Sequence, residues 1–452
     1  MNRLRYDVIV VGAGAAGIAA AERLLRAGRS IRVLEGRDRI GGRAFTDYSR
    51  GPSCPLELGA QMVHGRSVAT HAWIQETGLS VRPLPLMQKG RFAVGRRVAR
   101  MPWMAFPFHP VFGTRATLEG GILIPRRLDA YAGTDLPLAS WLTEARTGVA
   151  ARSLVDLMFA HVYAADADAI GVRGPLEEER AASEKFGFTN FQLREGYSEL
   201  MRRRADSLRP WIQTGAVVRR IDFREPTIRV RWERPTDGQS FELGATAVIV
   251  TVPLGVLRAG MIAFDPPLSE VKRRAIDRIA MGDAIAVHFW TADHPLRDRW
   301  GDFSMIWGDG ASSFLRPRVG LGEAQEVYTA FTVGREARRR ASWEDSPLLE
   351  ATIAELESIL PAGSRVGPAL GTAVHRWPFD PFAVGAYSYL PPGVGLQDRR
   401  DLSVPEDGRV FFAGEATHSS GAASTVHGAI ETGYRAAEEA LRAFPNKSSS
   451  AQ

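Results

Sequence analysis

The chain has 452 residues, 45% of them hydrophobic and 24% charged, which excludes a disordered or fibrous protein and leaves room for more than one globular domain. The formal net charge of +6 rests almost wholly on arginine, and the clusters Arg202–Arg204 and Arg338–Arg340 fall in helix-like polar stretches that read as solvated faces, not as a nucleic-acid surface. The single cysteine, Cys54, excludes an intrachain disulfide, no apolar run reaches the ~18 residues of a membrane span, and no signal sequence is visible; the expected setting is cytoplasmic, without membrane or nucleic-acid partners. From the N-terminus, Val8 to Val11 is an apolar run of strand length. Gly12, Gly14 and Gly17 follow at G-x-G-x-x-G spacing, and an alanine-rich helix then runs to a stop at Gly28. The spacing suits a tight turn at Gly12, close approach of a pyrophosphate at Gly14 and helix–strand packing at Gly17; Ala16 lies in the helix N-terminus, whose free N–H groups favour an anion. A second strand, Ile31 to Leu34, leads to Glu35, placed to bind both hydroxyls of an adenosine ribose. With Glu35 followed by Gly36 and no obvious arginine for a 2′-phosphate, the site favours NAD or FAD over NADP.

Arg37-Asp38-Arg39-Ile40-Gly41-Gly42-Arg43 directly follows. This resembles the extended fingerprint R-D-R-x-G-G-R of the flavin amine oxidase family, which includes monoamine oxidases, polyamine oxidases and lysine-specific histone demethylases. The resemblance implies FAD, with Arg37, Gly42 and Arg43 at the cofactor and Arg43 on its phosphates. Leu56-Glu57-Leu58-Gly59-Ala60-Gln61-Met62 is similar to the family's E-L-G-A/G segment, which implies that the backbone of Gly59, Ala60, Gln61 and Met62 lies against the isoalloxazine ring; the small residues permit that approach. Val63-His64-Gly65 resembles the end of the W-I-H-G of vertebrate-type polyamine oxidases and lacks the arginine of L-amino acid oxidases. His64 is read either as a partner of the substrate amine or as a loop histidine satisfied by backbone.

The middle of the chain is less regular. Pro83, Pro85, Pro102, Pro107 and Pro110 punctuate it, and the aromatic stretch Met101 to Phe112 reads either as an entrance lining or as a packed loop. Trp141 to Ala165 has helical spacing. Gly215 to Ile221 resembles the family strand whose valine backbone holds the adenine, a role that falls on Val218. Ile228 to Trp232 and Phe241 to Leu243 alternate as a meander around Asp237-Gly238, and Ala247 to Val252 is a fully apolar strand. After Gly282 the family carries a lysine that holds a water beside the flavin; here the position is Ala286, and Asp283 and His288 do not obviously replace it. That departure leaves open whether oxygen or another acceptor takes the electrons. Val327 to Val333 reads as a strand and Pro347 to Leu360 as an amphipathic helix.

Toward the C-terminus, Trp377-Pro378 and Gly385-Ala386-Tyr387-Ser388-Tyr389 resemble the W-x-x-x-P…G-x-Y-S region of the family. The resemblance implies a cofactor contact for Trp377 and an aromatic flank to the substrate amine at Tyr387; Tyr389 is read either in the site or as a core tyrosine. Ala386 stands where monoamine oxidases carry a flavin-linked cysteine, so the FAD is expected to be non-covalent. Phe411-Phe412-Ala413-Gly414-Glu415 matches F-A-G-E and implies that Gly414 and Glu415 meet the ribityl–phosphate region. Ala423-Ser424-Thr425-Val426 opens the last helix, expected to run to about Ala443, with Thr425 and Val426 at the flavin pyrimidine. Monoamine oxidases place a second tyrosine of the substrate cage at position 425; Thr425 resembles the polyamine oxidase and demethylase branch, with its more open cage, which implies a place at the substrate as well.

The expected fold is α/β: a Rossmann-type FAD-binding domain of the GR2-like kind, built from residues 1–80, 200–283 and 394–444, with an inserted α+β substrate domain from 81–199 and 284–393 and a flexible tail at 445–452. The expected activity is oxidation of an amine to an imine, then hydrolysis to a carbonyl, polyamine-oxidase-like or specialised and biosynthetic. Hydrogen peroxide is the second product where oxygen is the acceptor. The expected partners are a small amine, an electron acceptor and a possible second copy of the chain; no metal is expected. Two other readings remain. One is C–C oxidation by a desaturase or protoporphyrinogen-oxidase-like enzyme, and the other a non-catalytic flavin- or peptide-binding module.

Overall fold

A computed structural model describes residues 5–51, 53–84, 90–94, 97–100, 119, 123–182, 190–292, 304–307, 312–317, 325–360 and 365–445. The aromatic stretch Met101 to Phe112 and the residues after 445 lie outside the described residues. Strand β1 (Arg5–Val11), helix α1 (Ala15–Arg26) and strand β2 (Ile31–Leu34) form where the apolar runs and Gly28 place them. The inserted segment supplies helices α2 (Val149–Tyr163) and α3 (Arg173–Ala181). Strands β3 (Val217–Asp222), β4 (Ile228–Arg234) and β5 (Gln239–Val250) follow.

One eight-stranded sheet takes the order Ile212–Gln213, β2, β1, β5, β4, β3, Ala263–Asp265, with Val410–Phe412 also paired to β5. Strand β5 is longer than the sequence suggests: the runs Phe241 to Leu243 and Ala247 to Val252 are joined through Gly244 into one strand. Its first half pairs antiparallel with β4 and its second half parallel with β1. Neighbours on both sides hold the glycine extended, which overrides its weak strand preference. The parallel half is apolar on both faces because helices and loops cover both.

A seven-stranded second sheet draws strands from both insertions: Gly90–Val94 and Arg97–Arg100 join Met305–Trp307, Ser312–Leu315, β6 (Ala284–Thr291), β7 (Glu326–Val333) and β8 (Ala369–Arg376). One face of β6, through Ile285, Val287 and Phe289, packs into a core with the helix Asp345–Ile359. The other face carries Ala284, Ala286 and His288, by the alternation of a strand. Helix α4 (Leu396–Ser403), strand β9 (Val410–Phe412) and helix α5 (Val426–Ala443) close the chain against the first sheet. Glycine lets α5 lie tight on α1, since a Cβ on Gly433 would collide with the carbonyl oxygen of Ala16.

The basic clusters are solvated as expected at Arg202, Arg203, Arg338 and Arg339, and the last arginine of each departs. Arg204 is buried, ion-paired to Glu22 and Glu76, with its guanidinium over the Trp73 ring at 4.7 Å. Arg340 is largely covered and bonds Glu336 and Glu355. Tertiary partners, invisible in a local window, draw both inward. Among the described residues, no helix is long and apolar enough to cross a membrane.

Candidate active site

The glycine turn takes a shape that only glycine permits at two of its positions. Gly12 has φ +106°, and a Cβ on Gly17 would collide with the Gly12 carbonyl oxygen, so both positions need glycine. A Cβ on Gly14 would meet nothing within 4 Å: the space in front of it is open. Gly14 is the N-cap of α1 and no side chain caps it, so the first N–H groups of the helix, Ala16 and Gly17 included, face that space without a capping partner. Glu35 fixes the turn from below. Its carboxylate accepts the Ala13 N–H at 2.6 Å and the Arg37 N–H at 2.9 Å, while burial pushes the carboxyl above its ordinary range. The strand carrying Val218 is stitched to the same place, because Ala216 N–H donates to the Glu35 carbonyl at 2.8 Å and Gly215 N–H to that of Arg37 at 2.7 Å. Gly42, with φ +58°, lies against Gly14.

Arg37 itself points elsewhere. It makes a two-pronged pair with Asp380, at 2.9 and 2.6 Å, and Asp380 also bonds His375 at 3.0 Å. Despite its burial, Asp380 is held well below the usual carboxylate range by His375 and Arg37. In this arrangement the expected cofactor arginine ties the first segment of the chain to the end of β8.

Glu415 is where the separated pieces meet. Its buried carboxylate accepts from Arg43 Nη1 at 2.9 Å, Ser388 Oγ at 2.6 Å and Ser424 N–H at 3.0 Å. Burial would raise this carboxyl, but Arg43 and Arg399 bring it below its ordinary value. Arg43 also donates to the Ala386 carbonyl at 2.7 Å. Gly414, with φ +126°, turns the strand so that Glu415 reaches inward. Thr425 is the N-cap of α5, ahead of Val426: its Oγ1 accepts from Gly428 N–H at 3.0 Å and donates to the Ala422 carbonyl at 2.7 Å. The hydroxyl expected at the substrate therefore serves the helix terminus.

The E-L-G-A segment lies against this hub. A Cβ on Gly59 would collide with the Arg43 carbonyl oxygen, and Trp377 covers it, donating from Nε1 to the Leu58 carbonyl at 2.9 Å. Ala60 N–H donates to the Arg43 carbonyl at 3.1 Å, and the Met62 carbonyl accepts the Tyr197 hydroxyl at 2.8 Å. Nε2 of Gln61 is buried with no hydrogen-bond partner among the described residues. That orphaned donor, the open space at Gly14 and the uncapped helix fit a bound dinucleotide flavin.

Tyr387 packs with Phe45, Ala164, Phe331 and Trp377, and its hydroxyl donates to the His161 carbonyl at 2.9 Å. Burial and the nearby Glu415 push its phenol upward. Tyr389 is not gathered with it; its charged neighbours are Asp283, Arg258, Asp166 and Asp168. His64 pairs with Asn190, ring Nδ1 to Oδ1 at 2.7 Å, and burial lowers it. His427, on the first turn of α5, is pushed down to about 4 by burial and by His64. Ala286 is fully buried, opposite Phe331 on β7 and His375 on β8. Asp283 is clasped by Arg338 at 2.7 and 2.9 Å. His288 bonds the Glu57 carbonyl at 2.9 Å and Thr329 Oγ1 at 2.8 Å, and burial pushes it down to about 4.

The sequence reading missed Glu57, Asn190, Asp380, Ser388, Ser424 and His427 as members of the site. Glu57 and Ser388 stood in family segments, as the E of E-L-G-A/G and the S of G-x-Y-S, without a role assigned, and Asp380 is an acid shortly after Trp377-Pro378. Glu57 is buried, accepts from Thr46 Oγ1 at 2.7 Å and Tyr197 N–H at 2.9 Å, and is pushed up to about 8 by burial.

Comparison with known proteins follows the same lines. The family model described as flavin-containing amine oxidoreductase matches residues 15–441. Polyamine oxidase 2 of Arabidopsis thaliana is 31% identical, over 96% of this chain and 87% of its own length. Lysine-specific histone demethylase 1 homolog 2 of Oryza sativa subsp. japonica is 27% identical over 99% of this chain, which spans 58% of that relative. Among solved structures, putrescine oxidase bound to putrescine superposes with a TM-score of 0.82 at 23% identity, covering 97% of this chain and 99% of the other. Cyclohexylamine oxidase from Brevibacterium oxydans gives a TM-score of 0.80 at 21% identity, with coverage of 97% and 99%. These structures share the FAD-binding amine oxidase fold with this chain.

Proposed function

The chain belongs to the flavin-containing amine oxidoreductase family, and we propose that it oxidises a small amine with FAD held non-covalently, by a polyamine-oxidase-like or specialised biosynthetic reaction. The observation that carries this reading is the convergence on Glu415 of Arg43 from the glycine-turn segment, Ser388 beside Tyr387, and Ser424 beside the N-terminus of α5. One carboxylate thus aligns the residues that would hold phosphates, flank a substrate and face a ring. Gly12, Gly14, Gly17, Glu35 and Arg43 would hold the dinucleotide; Gly59, Ala60, Gln61, Met62 and Trp377 would bound the ring. When bound, the flavin supplies the acceptor for the hydride that leaves the carbon next to nitrogen, and water then hydrolyses the resulting imine to a carbonyl.

The protein's own contribution is position and environment. The burial that pushes Tyr387 up and His64 and His427 down also favours an amine in its neutral form, whose nitrogen lone pair is free to assist loss of the hydride. The Tyr387 ring offers a negative face to the charge that develops at nitrogen. The methyl of Ala386 cannot carry a thioether to the cofactor, which supports a non-covalent site. The buried alanine at position 286 supports slow transfer to oxygen, since no ammonium stands there to stabilise developing negative charge.

Anaerobic addition of a panel of primary, secondary and polyamines should bleach the flavin absorbance with at least one of them. Reoxidation should be slower with oxygen than with a soluble quinone, and the oxygen arm should yield hydrogen peroxide. No bleaching with any amine sinks the reading; rapid reoxidation by oxygen sinks only the part assigned to Ala286.

A further inference from the structure

Behind Glu415 lies a second arginine that no sequence motif marks. Arg399, on α4, is fully buried. Its Nη1 donates to Ser388 Oγ at 2.8 Å and to the Ala416 carbonyl at 3.0 Å, and its Nε donates to Glu178 Oε1 at 2.5 Å. Glu178 is itself buried, on α3 of the inserted segment. That helix sits hard against the cofactor-side chain. A Cβ on Gly421 would meet the Ala182 backbone and the Glu178 carbonyl at 2.5 Å, and one on Gly174 would meet Leu390 Cβ at 2.6 Å. Charges therefore alternate in sign along the half-buried Arg43 and the buried Glu415, Arg399 and Glu178, with the Ser388 hydroxyl between the middle two.

We propose that Arg399 is a positioning residue for the flavin site: through Ser388 it orients the Glu415 carboxylate toward Arg43 and Ser424, and through Glu178 it fastens α3 to the same hub. The inference rests on the reading that this hub holds the flavin. The charge logic is direct. Ser388 Oγ accepts from Arg399, which leaves its own proton aimed at Glu415. The groups facing Glu415 are Arg43, Arg399, Ser388, Ser424 and Tyr387, with Glu178 and, behind it, His418. Of these, Arg43 pairs with Glu415 directly and Arg399 acts through Ser388 and by its nearby charge, while burial opposes ionisation of both Glu415 and Glu178. With Arg399 removed, Glu415 keeps its burial but loses one cation and the fixed hydroxyl, so it takes up a proton as pH falls and releases its grip on Arg43 and Ser424.

The test is the dissociation constant of FAD, measured by flavin fluorescence on the full-length apo-protein between about pH 5.5 and pH 8.5. Wild type should be nearly flat. R399M should weaken progressively toward low pH, by about tenfold or more at the acid end, and R399K, which keeps the charge, should restore most of the flat profile. The double variant E178Q/R399M leaves no lone buried charge and decides the matter if R399M fails to fold: it should keep the slope of R399M. A flat profile in R399M or in the double variant, or an R399K as pH-sensitive as R399M, overturns the proposal. A wild-type protein that binds no FAD at any pH overturns instead the flavin reading on which it rests.

Discussion

Glu57 offers a stability measurement whose sign is fixed by the structure. Its carboxyl sits buried between Thr46 and Tyr197 and is raised by burial from 4.5 to about 8. Between those values the folded chain keeps a proton that the unfolded chain has released. Stability contributed by this group is complete below the unfolded pKa and is lost as pH rises through the folded one, at about 1.4 kcal/mol per pH unit and about 5 kcal/mol in all. Glu57→Gln removes the titration and keeps the shape: the amide oxygen still accepts from Tyr197 N–H, and the Thr46 hydroxyl, which donates to the carboxyl in the wild type, turns to accept from the amide nitrogen. For a chain of 452 residues the unfolding entropy is about 1 kcal/mol/K, so the slope corresponds to about 1.4 °C per pH unit. Melting followed by tryptophan fluorescence should show the variant gaining about 3.5 °C on wild type from about pH 5.5 to about pH 8. Taking the difference cancels groups titrating in both proteins, including the buried Lys272, which is lowered to about 7. An offset that stays constant across the range, or shrinks, refutes the assignment of a neutral, buried Glu57.

The two central glycines of the turn should fail differently. Gly17→Ala drives a methyl into the Gly12 backbone and should lower stability by about 1–3 kcal/mol as well as lose flavin. Gly14→Ala, with open space and φ −75°, should melt within about 0.5 kcal/mol of wild type as apo-protein yet purify colourless, because its methyl enters the phosphate approach; a fully yellow Gly14→Ala protein would count against the cradle. Tyr387→Phe removes only the bond to the His161 carbonyl, about 1 kcal/mol, and should leave anaerobic flavin reduction within a few-fold, whereas Tyr387→Ala should slow it by about tenfold or more in stopped-flow measurements.

What the sequence showed well is what local spacing controls. The strand, glycine turn, helix and acid of the first residues depend on periodicity and on conformations open to glycine, and the structure has them where expected. The strand Val410–Phe412 and the cap at Thr425 are equally local. Roles set by distant partners were not legible. Arg43 and Glu415 are 372 residues apart in sequence, and Arg37 and Asp380 are 343 apart; nothing in either short motif says that one arginine faces the hub while the other is committed to a carboxylate of the second sheet's end. Tyr387 and Tyr389 look equivalent as residues two apart, but only the first feels Glu415. Thr425 carried a family resemblance to a substrate position, yet its hydroxyl closes the first turn of α5. Burial decided the rest, turning Arg204 from an apparent surface charge into a core ion pair and Glu57 from a motif letter into a titrating group.

These long-range pairs also explain why the first forty-three residues cannot be a cofactor site alone. A buried ion is costly unless its partner is in place, and losing one member of a buried pair typically costs about 3–5 kcal/mol. Glu415 without Arg43, or Arg399 without Glu178, would leave such an ion. Each belongs to a different stretch of chain, so the charges are compensated only when all stretches have closed. Arg43 already pairs with Glu415, so the part proposed for it at a diphosphate is shared with that carboxylate. On the proposed reading the rest of the compensation would come from the uncapped N-terminus of α1, where the open space at Gly14 lies. On the proposed reading the division is physical: the buried ions would hold the walls of the site in register, and the helix terminus would receive the charge that arrives with the ligand.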